Sequence, residues 1–308
     1  MRIQRVEYTQ PNNKRSQISY RGKLHLHKYN IFDPMLHYIN KGAEVSRQRQ
    51  HPISSFLSDK IKDMKIRRFS TRKSISAWYI NPNNSENVIF YIHGLAKNIS
   101  NYQNLYEKIV QDGMGVYAVE YRGHGANPKT RVSEKRLGKD IEKAFKNLLK
   151  ETGISPKKVT VVGHSMGGVL ASNFVAKHQD VKSLILISPM CDMHTVGERF
   201  VLNKKIGLGI PERIYTMSHK VKFIQWLQNF HFNGLKSLKE NKVPISIIHS
   251  EKDPITTIAG AKRLAAMARK QGSLESVFWL ERGNHDIDAN KEDVLTHILN
   301  RIYNKKKK

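Results

Sequence analysis

The sequence lacks the marks of several protein classes. It has a single cysteine, Cys191, in 308 residues, which excludes an intramolecular disulfide framework, and its 14 histidines form no cluster with zinc-site spacing. No run of about 18 apolar residues, the length that spans a membrane, occurs. Met1 to Glu7 lead into polar sequence and not into the apolar segment of a secretion signal. We therefore expect a cytoplasmic or peripheral membrane protein that needs no cofactor and no metal.

Acidic residues are also scarce. The 26 Asp and Glu stand against 53 Lys and Arg, which gives a formal net charge of +27 and a pI near 10.1. This excess predicts attraction to anionic partners such as a phospholipid surface, although a basic surface that is only solvated would have the same composition. Nucleic acid is a less favoured partner, because no helix-turn-helix, zinc-finger or aromatic RNA-binding pattern occurs. The composition predicts no oligomeric state.

Changes in texture divide the chain into five parts. Residues 1–60 hold eleven Lys and Arg against four Asp and Glu, so we expect a basic N-terminal extension that is partly helical and weakly packed. Residues 61–190 and 242–304 have the pattern of one core domain in two pieces. Residues 191–241 interrupt that pattern with glycine-rich and aromatic segments and are predicted to form a lid. Residues 305–308 form a basic tail.

Within the core, apolar runs alternate with helical patterns. This alternation predicts an α/β fold with a mostly parallel central sheet flanked by helices, and the first two runs predict a hairpin. The predicted strands are Lys65 to Ser70, Ser74 to Ile80, Val88 to Ile92, Gly115 to Glu120, Val159 to Val162, Ser183 to Ser188, Ile245 to His249 and Ser276 to Leu280. The predicted helices lie at about 101–112, 133–151, 167–178, 257–271 and 291–303.

The most informative motif surrounds Ser165. A short β-branched run leads into Gly163-His164-Ser165-Met166-Gly167 and then into a helical pattern. This order predicts a nucleophile elbow, a sharp strand-to-helix turn that presents a serine hydroxyl. Because a serine hydroxyl is a weak nucleophile, the motif requires a base and oxyanion donors elsewhere in the chain.

The predicted base is His285, which follows the last predicted strand after a loop that contains a glycine. Asp253, just beyond the preceding strand, is predicted to orient the imidazole. Asp192 is its rival, although no tight turn frames it. Asp286 is disfavoured because it neighbours His285 in the sequence, and Glu251 is a fallback.

Two backbone N–H groups are predicted to form the oxyanion hole. Met166 supplies one as the residue after Ser165. Leu95 supplies the other, because it follows His93-Gly94 in the loop after an earlier strand. Losing one such donor typically costs about 3 kcal/mol of transition-state stabilisation.

Together these segments resemble the α/β-hydrolase superfamily, and within it the monoacylglycerol lipase and lysophospholipase group. The resemblance implies an α/β-hydrolase fold with a helical lid insertion, a triad of Ser165, Asp253 and His285, and an oxyanion hole of Leu95 and Met166. It spans residues 88–285 and is carried by His93-Gly94, Glu120-Tyr121-Arg122-Gly123-His124-Gly125, Gly163-His164-Ser165-Met166-Gly167-Gly168, Ser188-Pro189-Met190, Ser250-Glu251-Lys252-Asp253-Pro254-Ile255-Thr256 and Gly283-Asn284-His285.

The chain departs from the family pattern at three places. Glu120 stands where the family usually has Asp, and Ser250 stands where it usually has Gly. Neither residue is expected to carry the chemistry, and the Arg-Gly-His-Gly segment is expected to be structural. Residues 1–60 match no part of the pattern.

The predicted function is hydrolysis of carboxylic esters through an acyl-enzyme, with a lysophospholipid, a monoacylglycerol or another lipid or small-molecule ester as substrate. Residues 198–240 combine eight Lys and Arg and three Asp and Glu with large apolar residues. This composition suits an acyl chain beside an anionic headgroup, and it equally suits a lid that only seals onto the core. Two alternatives stay open: an acyltransferase that uses the same triad, and a non-catalytic hydrolase-fold protein that docks on anionic membranes or partners.

Overall fold

An eight-stranded sheet lies at the centre of the described structure. The computed structural model describes residues 34–67, 74–130, 132–192 and 232–287. The strands are β1 (Ile61–Arg67), β2 (Ser74–Ile80), β3 (Val88–Ile92), β4 (Gly115–Glu120), β5 (Val159–His164), β6 (Ser183–Ile187), β7 (Ile245–Ser250) and β8 (Leu274–Leu280). Their order in the sheet is β1-β2-β4-β3-β5-β6-β7-β8, and every pair from β4 to β8 is parallel. The predicted mostly parallel sheet is confirmed.

Helices follow most of the strands in the described ranges. They are α1 (Pro34–Gln48), α2 (Gln103–Gln111), α3 (Glu134–Thr152), α4 (Met166–Val175), α5 (Gly234–Leu238) and α6 (Ile258–Lys270), with 3₁₀ turns at Ile99–Tyr102 and Pro156–Lys158. Among these described helices, each is too short or too polar to cross a membrane.

Both faces of the sheet are covered, which explains why the central strands are apolar without interruption. On β4, the side chains of Tyr117 and Val119 pack into one core cluster, to which α3, α4 and α6 contribute. Val116 and Ala118 on the same strand pack into the other cluster, to which α2 contributes. Alternate side chains therefore serve opposite layers, and every residue of β4 is buried.

The predicted hairpin is confirmed, with a shift in its first strand. β1 pairs antiparallel with β2, and Ile61 pairs with Ile80. The strand therefore begins four residues before the predicted start at Lys65. Met64 and Ile66 are buried while Lys65 between them is exposed, so the alternation is that of a strand with one face on the core.

The expectation of a weakly packed N-terminal extension is wrong for its described part. Ser46 on α1 and Leu57 before β1 are both fully buried, and Ala43 belongs to the core cluster beside α3 and α4. Apolar and hydroxyl side chains at a few positions were enough to pack this segment, although it has no long apolar run. The predicted boundary at residue 60 stays a prediction.

The two described ends of the predicted lid lie side by side. Asp192 and Asn233 form an antiparallel bridge, and the Gly234 N–H donates to the Cys191 carbonyl at 2.9 Å. Residues 193–231 between them lie outside the described residues. The predicted helix at 291–303 and the tail at 305–308 also lie outside them.

The parallel strands place their carboxyl ends at one edge of the sheet. β3 and β5 are neighbours, with Ile92 opposite Gly163, and β7 and β8 are neighbours with Ser250 opposite Leu280. The loops that follow these four strands therefore begin at the same edge, where ligand sites of open α/β sheets form.

Candidate active site

Ser165 lies at the sharp turn between β5 and α4. Its backbone has φ 56° and ψ −121°, a conformation that residues with a side chain rarely adopt. Two glycines make room for the turn. A Cβ at Gly167 would lie 2.2 Å from the carbonyl oxygen of Ile92, and a Cβ at Gly163 would lie 2.5 Å from the carbonyl oxygen of Gly167. The strand-to-helix turn that the sequence predicts is present.

Three predicted side chains meet in one hydrogen-bonded chain. Oγ of Ser165 lies 2.8 Å from Nε2 of His285, and Nδ1 of His285 lies 2.8 Å from Oδ2 of Asp253. Ser165 and Asp253 are 8% and 5% exposed, so this chain is largely shielded from bulk water. Shielding strengthens the electrostatic interaction between the imidazole and the carboxylate.

The rival acidic residues lie elsewhere. Asp192 forms an ion pair with Arg263 at 3.2 Å, and Asp286 forms one with Lys97 at 3.0 Å. Glu251 is exposed. The structure therefore brings Asp253, and not these residues, to Nδ1 of the imidazole.

Asp253 is held as an anion by its neighbours. Oδ1 accepts the N–H groups of Ile255 at 2.7 Å and Thr256 at 2.9 Å, and Oδ2 accepts the Thr256 hydroxyl at 2.7 Å. Burial acts to raise the pKa of Asp253, but the hydrogen bonds from His285, Thr256 and Ile255 lower that pKa to about 2. A permanent carboxylate can fix the orientation of the imidazole and stabilise its protonated form. Sequence reasoning gave no role to Thr256, although it closes the same tight turn.

The two segments that carry the predicted oxyanion donors both lie against Ser165. Met166 is the first residue of α4, directly after the elbow. Leu95 lies in the oxyanion loop, the name used here for residues 93–99 after β3. A Cβ at Gly94 in this loop would lie 3.1 Å from Cβ of Ser165, so the loop passes against the serine. The donor role of the two backbone N–H groups stays a prediction.

Glu120 connects the two ends of the oxyanion loop. Nε2 of His93 donates to Oε1 of Glu120 at 2.9 Å, and the Ile99 N–H donates to Oε2 at 3.1 Å. Glu120 is 1% exposed, and a Cβ at Gly125 would lie 2.0 Å from Oε2, so glycine there leaves space for the carboxylate. The expectation that Glu120 is only a tolerated replacement for Asp therefore missed a contact to the site. The sequence signal for this contact was the position of Glu120 at the end of β4, the strand that pairs with β3.

His164 joins the elbow to the 3₁₀ turn after the oxyanion loop and to the loop that carries His285. Its Nδ1 accepts the Tyr102 hydroxyl at 2.9 Å, and its Nε2 donates to the carbonyl oxygen of His285 at 3.1 Å. Burial, followed by the nearby His285, lowers the pKa of His164 to about 4. His164 is therefore neutral at pH 7, and only the neutral ring can accept at Nδ1 while it donates from Nε2.

The chemistry available to this arrangement is nucleophilic attack by a hydroxyl. An imidazole that is hydrogen-bonded to a serine and oriented by a buried carboxylate can take the serine proton. Within the described ranges, no three His, Cys, Asp or Glu side chains come together in a way that could hold a metal ion.

Comparison with known proteins agrees with this architecture. A family model described as serine aminopeptidase, S33, matches residues 83–229, which include β3 to β6 and the elbow. The chain has the α/β-hydrolase fold, and residues 83–229 are similar to that family. The superfamily's strand-to-helix elbow and its order of serine, acid and histidine along the chain are both present here.

Curated relatives of this chain have modest identity. Human alpha/beta hydrolase domain-containing protein 17B is 24% identical over 247 residues, which cover 79% of this chain and 73% of the relative. A monoacylglycerol lipase of Mycolicibacterium smegmatis is 27% identical over 211 residues, covering 58% of this chain and 74% of the relative. The chain matches about half the length of other curated relatives, between 39% and 60%.

Solved structures show the same fold. An alpha-beta hydrolase from Vibrio vulnificus superposes with a TM-score of 0.66 at 20% identity, over 85% of this chain and 92% of the other. At that identity the likeness shows the fold alone.

Proposed function

We propose that this α/β hydrolase cleaves carboxylic esters through a covalent acyl-enzyme, with Ser165 as nucleophile, His285 as base and Asp253 as the acid that orients the imidazole. The observation that carries the proposal is the continuous hydrogen-bonded chain from Oγ of Ser165 through His285 to Oδ2 of Asp253, with 2.8 Å at each step. Three residues separated by 88 and 32 positions in the sequence have no other evident reason to align in this order.

The first half of the reaction forms the acyl-enzyme. Nε2 of His285 takes the proton of the Ser165 hydroxyl as its oxygen attacks the carbonyl carbon of the ester. Asp253 stabilises the imidazolium that results, because its low pKa keeps it ionised. The N–H groups of Leu95 and Met166 stabilise the negative oxygen of the tetrahedral intermediate. When the intermediate collapses, the alcohol leaves with the proton from His285, and the acyl group stays on Ser165.

The second half releases the acid. His285 takes a proton from a water molecule, and the resulting hydroxide attacks the acyl carbonyl. The same two N–H groups stabilise the second oxyanion. Collapse breaks the bond to Ser165, which regains its proton from His285, so the enzyme returns to its starting state.

We further propose that the substrates are lipid esters such as lysophospholipids or monoacylglycerols. The relative from Mycolicibacterium smegmatis is named a monoacylglycerol lipase. The predicted lid combines large apolar side chains with an excess of Lys and Arg, and the whole chain carries a net charge of +27. These properties suit an acyl chain with an anionic headgroup or an anionic membrane nearby.

Labelling with a fluorophosphonate probe tests the nucleophile. The wild-type chain is expected to react covalently at Ser165, and Ser165→Ala is expected to lose both labelling and hydrolysis while it remains folded. Absence of labelling in folded wild-type protein would reject the enzyme proposal and favour a non-catalytic binding protein. Turnover of short soluble esters alone, in a panel that extends to lysophospholipids, would reject the lipid assignment.

A matched pair of carboxylate variants tests whether Asp253 is the acid of the proposed triad. Asp253→Asn is expected to lower kcat by about 10³ to 10⁴, because the amide would favour the wrong tautomer of His285. Asp192→Asn removes the same charge from the rival position and is expected to change kcat by less than about twofold. Equal losses in the two variants would contradict the assignment of Asp253.

Binding to vesicles of anionic phospholipid tests the proposed membrane contact. Binding is expected to weaken as salt rises from about 0.05 to 0.5 M, since salt screens exposed charges over a shorter distance at higher concentration. Binding that does not change with salt would contradict a basic docking surface.

A further inference from the structure

We propose that α1 positions the oxyanion loop, and that Gly42 and Ser46 on this helix are positioning residues for the reaction. The proposal assigns a role to part of the N-terminal segment that matches no family motif. It rests on the proposed function, because the loop carries the Leu95 N–H that is proposed to bind the oxyanion.

The oxyanion loop needs support from outside itself. Ala96 in its centre has φ 59°, in the left-handed region that residues other than glycine occupy rarely. Such a conformation persists where surrounding contacts hold it in place. Because Leu95 directly precedes Ala96, a change in the backbone conformation of Ala96 would reorient Leu95 and its N–H.

Ser46 supplies contacts on the C-terminal side of Ala96. Its hydroxyl donates to the carbonyl oxygen of Lys97 at 2.5 Å and accepts the Gly125 N–H at 3.1 Å. The carbonyl oxygen of Ser46 accepts the side-chain amide of Asn98 at 2.9 Å. Ser46 is completely buried, so water does not compete for these bonds. One residue of α1 therefore binds two consecutive residues of the loop.

Asn98 connects α1 to the 3₁₀ turn Ile99–Tyr102. Its side-chain oxygen accepts the N–H of Ser100 at 2.9 Å and so caps the 3₁₀ turn that follows the loop. Its amide also donates to the carbonyl oxygen of Arg49, just after α1. The end of the oxyanion loop is thus fixed to α1 through a buried side chain.

Gly42 supplies a contact on the N-terminal side of Ala96. It lies four residues before Ser46, so the two residues share one face of α1. A Cβ at Gly42 would lie 2.3 Å from Cγ of Leu95, which means that the Leu95 side chain occupies the space over the glycine. Glycine inside a helix is less stable than alanine, so close packing gives a physical reason for its presence here.

The two sides of the loop are therefore held by one turn of helix, together with the Glu120 carboxylate from β4. Since the oxyanion forms only during the reaction, support of the loop is expected to matter more in the transition state than in substrate binding.

Two variants and two matched controls in the full chain test the proposal. Ser46→Ala and Gly42→Ala are each expected to lower kcat for a soluble ester by about tenfold or more, with KM nearly unchanged, since small displacements of a catalytic group have large effects on rate. Ser58→Ala removes an exposed hydroxyl that bonds only within its own turn, and Gly138→Ala adds a Cβ to α3 where no atom lies within 4 Å. Both controls are expected to keep kcat within about twofold of wild type.

Hydrogen exchange of the amides of residues 94–101 gives a readout that needs no catalysis. Exchange is expected to be faster in Ser46→Ala and Gly42→Ala than in wild type and the controls, while exchange in β5 and β6 stays unchanged. A general loss of folding would instead accelerate exchange in all of these elements. If Gly42→Ala behaves in this way, Ser46→Ala, which only removes a hydroxyl, provides the test.

The outcomes separate this proposal from the proposed function. Unchanged exchange and an unchanged kcat in folded Ser46→Ala and Gly42→Ala would overturn the role of α1. If the wild type neither hydrolyses esters nor reacts with a fluorophosphonate, the proposed function is rejected. Faster exchange of the oxyanion loop in the two variants would still support the contact between α1 and the loop. A rise in KM with kcat unchanged would overturn the positioning role, because it would place α1 in substrate binding.

Discussion

Two segments at the candidate site adopt unusual backbone conformations by different means. The elbow has Ser165 at φ 56°, and the oxyanion loop has Ala96 at φ 59°. At the elbow, the residues that permit the conformation are Gly163 and Gly167, two positions away on either side. At the loop, the residues that hold it include Ser46, 51 positions before Lys97, and Glu120, 21 positions after Ile99.

The difference explains why a sequence motif predicts the elbow, whereas no motif predicts what supports the oxyanion loop. Steric room at the elbow depends on the absence of side chains at two nearby positions, so the sequence pattern itself records the requirement. Support of the oxyanion loop depends on contacts between distant segments. A pattern within the loop, such as His93-Gly94, records only that a turn is present.

Replacing Gly167 with alanine is expected to have the largest effect on stability. The new Cβ would lie 2.2 Å from the carbonyl oxygen of Ile92 and 2.5 Å from that of His93, and backbone atoms cannot rotate away as a side chain can. The free energy of unfolding, measured by chemical denaturation, is expected to fall by more than about 3 kcal/mol. Gly138→Ala is the control and is expected to raise it by up to about 1 kcal/mol. Equal stability of the two variants would show that the elbow does not depend on local room.

Acidification is expected to weaken the contacts through which His164 joins the elbow to the 3₁₀ turn Ile99–Tyr102 and to the loop of His285. Its pKa of about 4 in the folded chain lies below the ordinary value of 6.5, so the unfolded chain binds more protons between these pH values. The stability from neutral His164 is complete above pH 6.5, declines as pH falls and is gone below about pH 4. The expected loss is on the order of 3 kcal/mol, the free-energy equivalent of the difference between these two pKa values.

Unfolding free energies of wild type and His164→Gln over this pH range measure that effect, because glutamine keeps one donor and one acceptor but does not titrate. Wild type is expected to lose more stability than His164→Gln between pH 6.5 and 4. His51→Gln, at an exposed position, is expected to follow wild type. Parallel curves for wild type and His164→Gln would contradict the assignment.

Substitution of Glu120 tests whether contacts from distant segments hold the oxyanion loop. Glu120→Gln keeps the size of the side chain but replaces one acceptor oxygen with an amide that faces a donor, either on His93 or on Ile99. We expect the free energy of unfolding to fall by about 2 kcal/mol and kcat to fall about tenfold. Glu86→Gln is the control, since Glu86 is 77% exposed in its ion pair with Lys158. Identical behaviour of the two variants would mean that the Glu120 carboxylate does not hold the loop.

The smallest effect is expected at Thr256. Thr256→Val removes the hydroxyl that donates to Oδ2 of Asp253 and is expected to cost about 1 kcal/mol in stability and about threefold to tenfold in kcat. Thr256→Ser keeps the hydroxyl and should restore kcat. Thr152→Val removes a hydroxyl bond at the end of α3 and should leave kcat unchanged. Failure of serine to restore kcat would show that packing, and not the hydrogen bond, is the contribution of Thr256.

Sequence reasoning reached much of the fold and missed particular parts of the site. The bounds of β2, β3 and β4 agree with the predicted strands, because continuous apolar runs and clear turns mark them. The predicted start of β1 was wrong, since a partly exposed strand has a weaker pattern. Thr256 and Glu120 received no role, because a hydroxyl or carboxylate that acts through another residue leaves no pattern of its own.

By itself, the sequence determined the alternation of strands and helices, the elbow at Ser165 and the position of His285 after the last strand. These properties depend on local periodicity, on glycine at a few positions and on chain order, all of which a linear sequence records. Only the tertiary structure decided that Asp253 and not Asp192 reaches the imidazole, and that α1 and Glu120 contact the oxyanion loop. Such contacts join residues that are far apart in the chain, and their hydrogen bonds have a direction and a length that exist only after the sheet has formed.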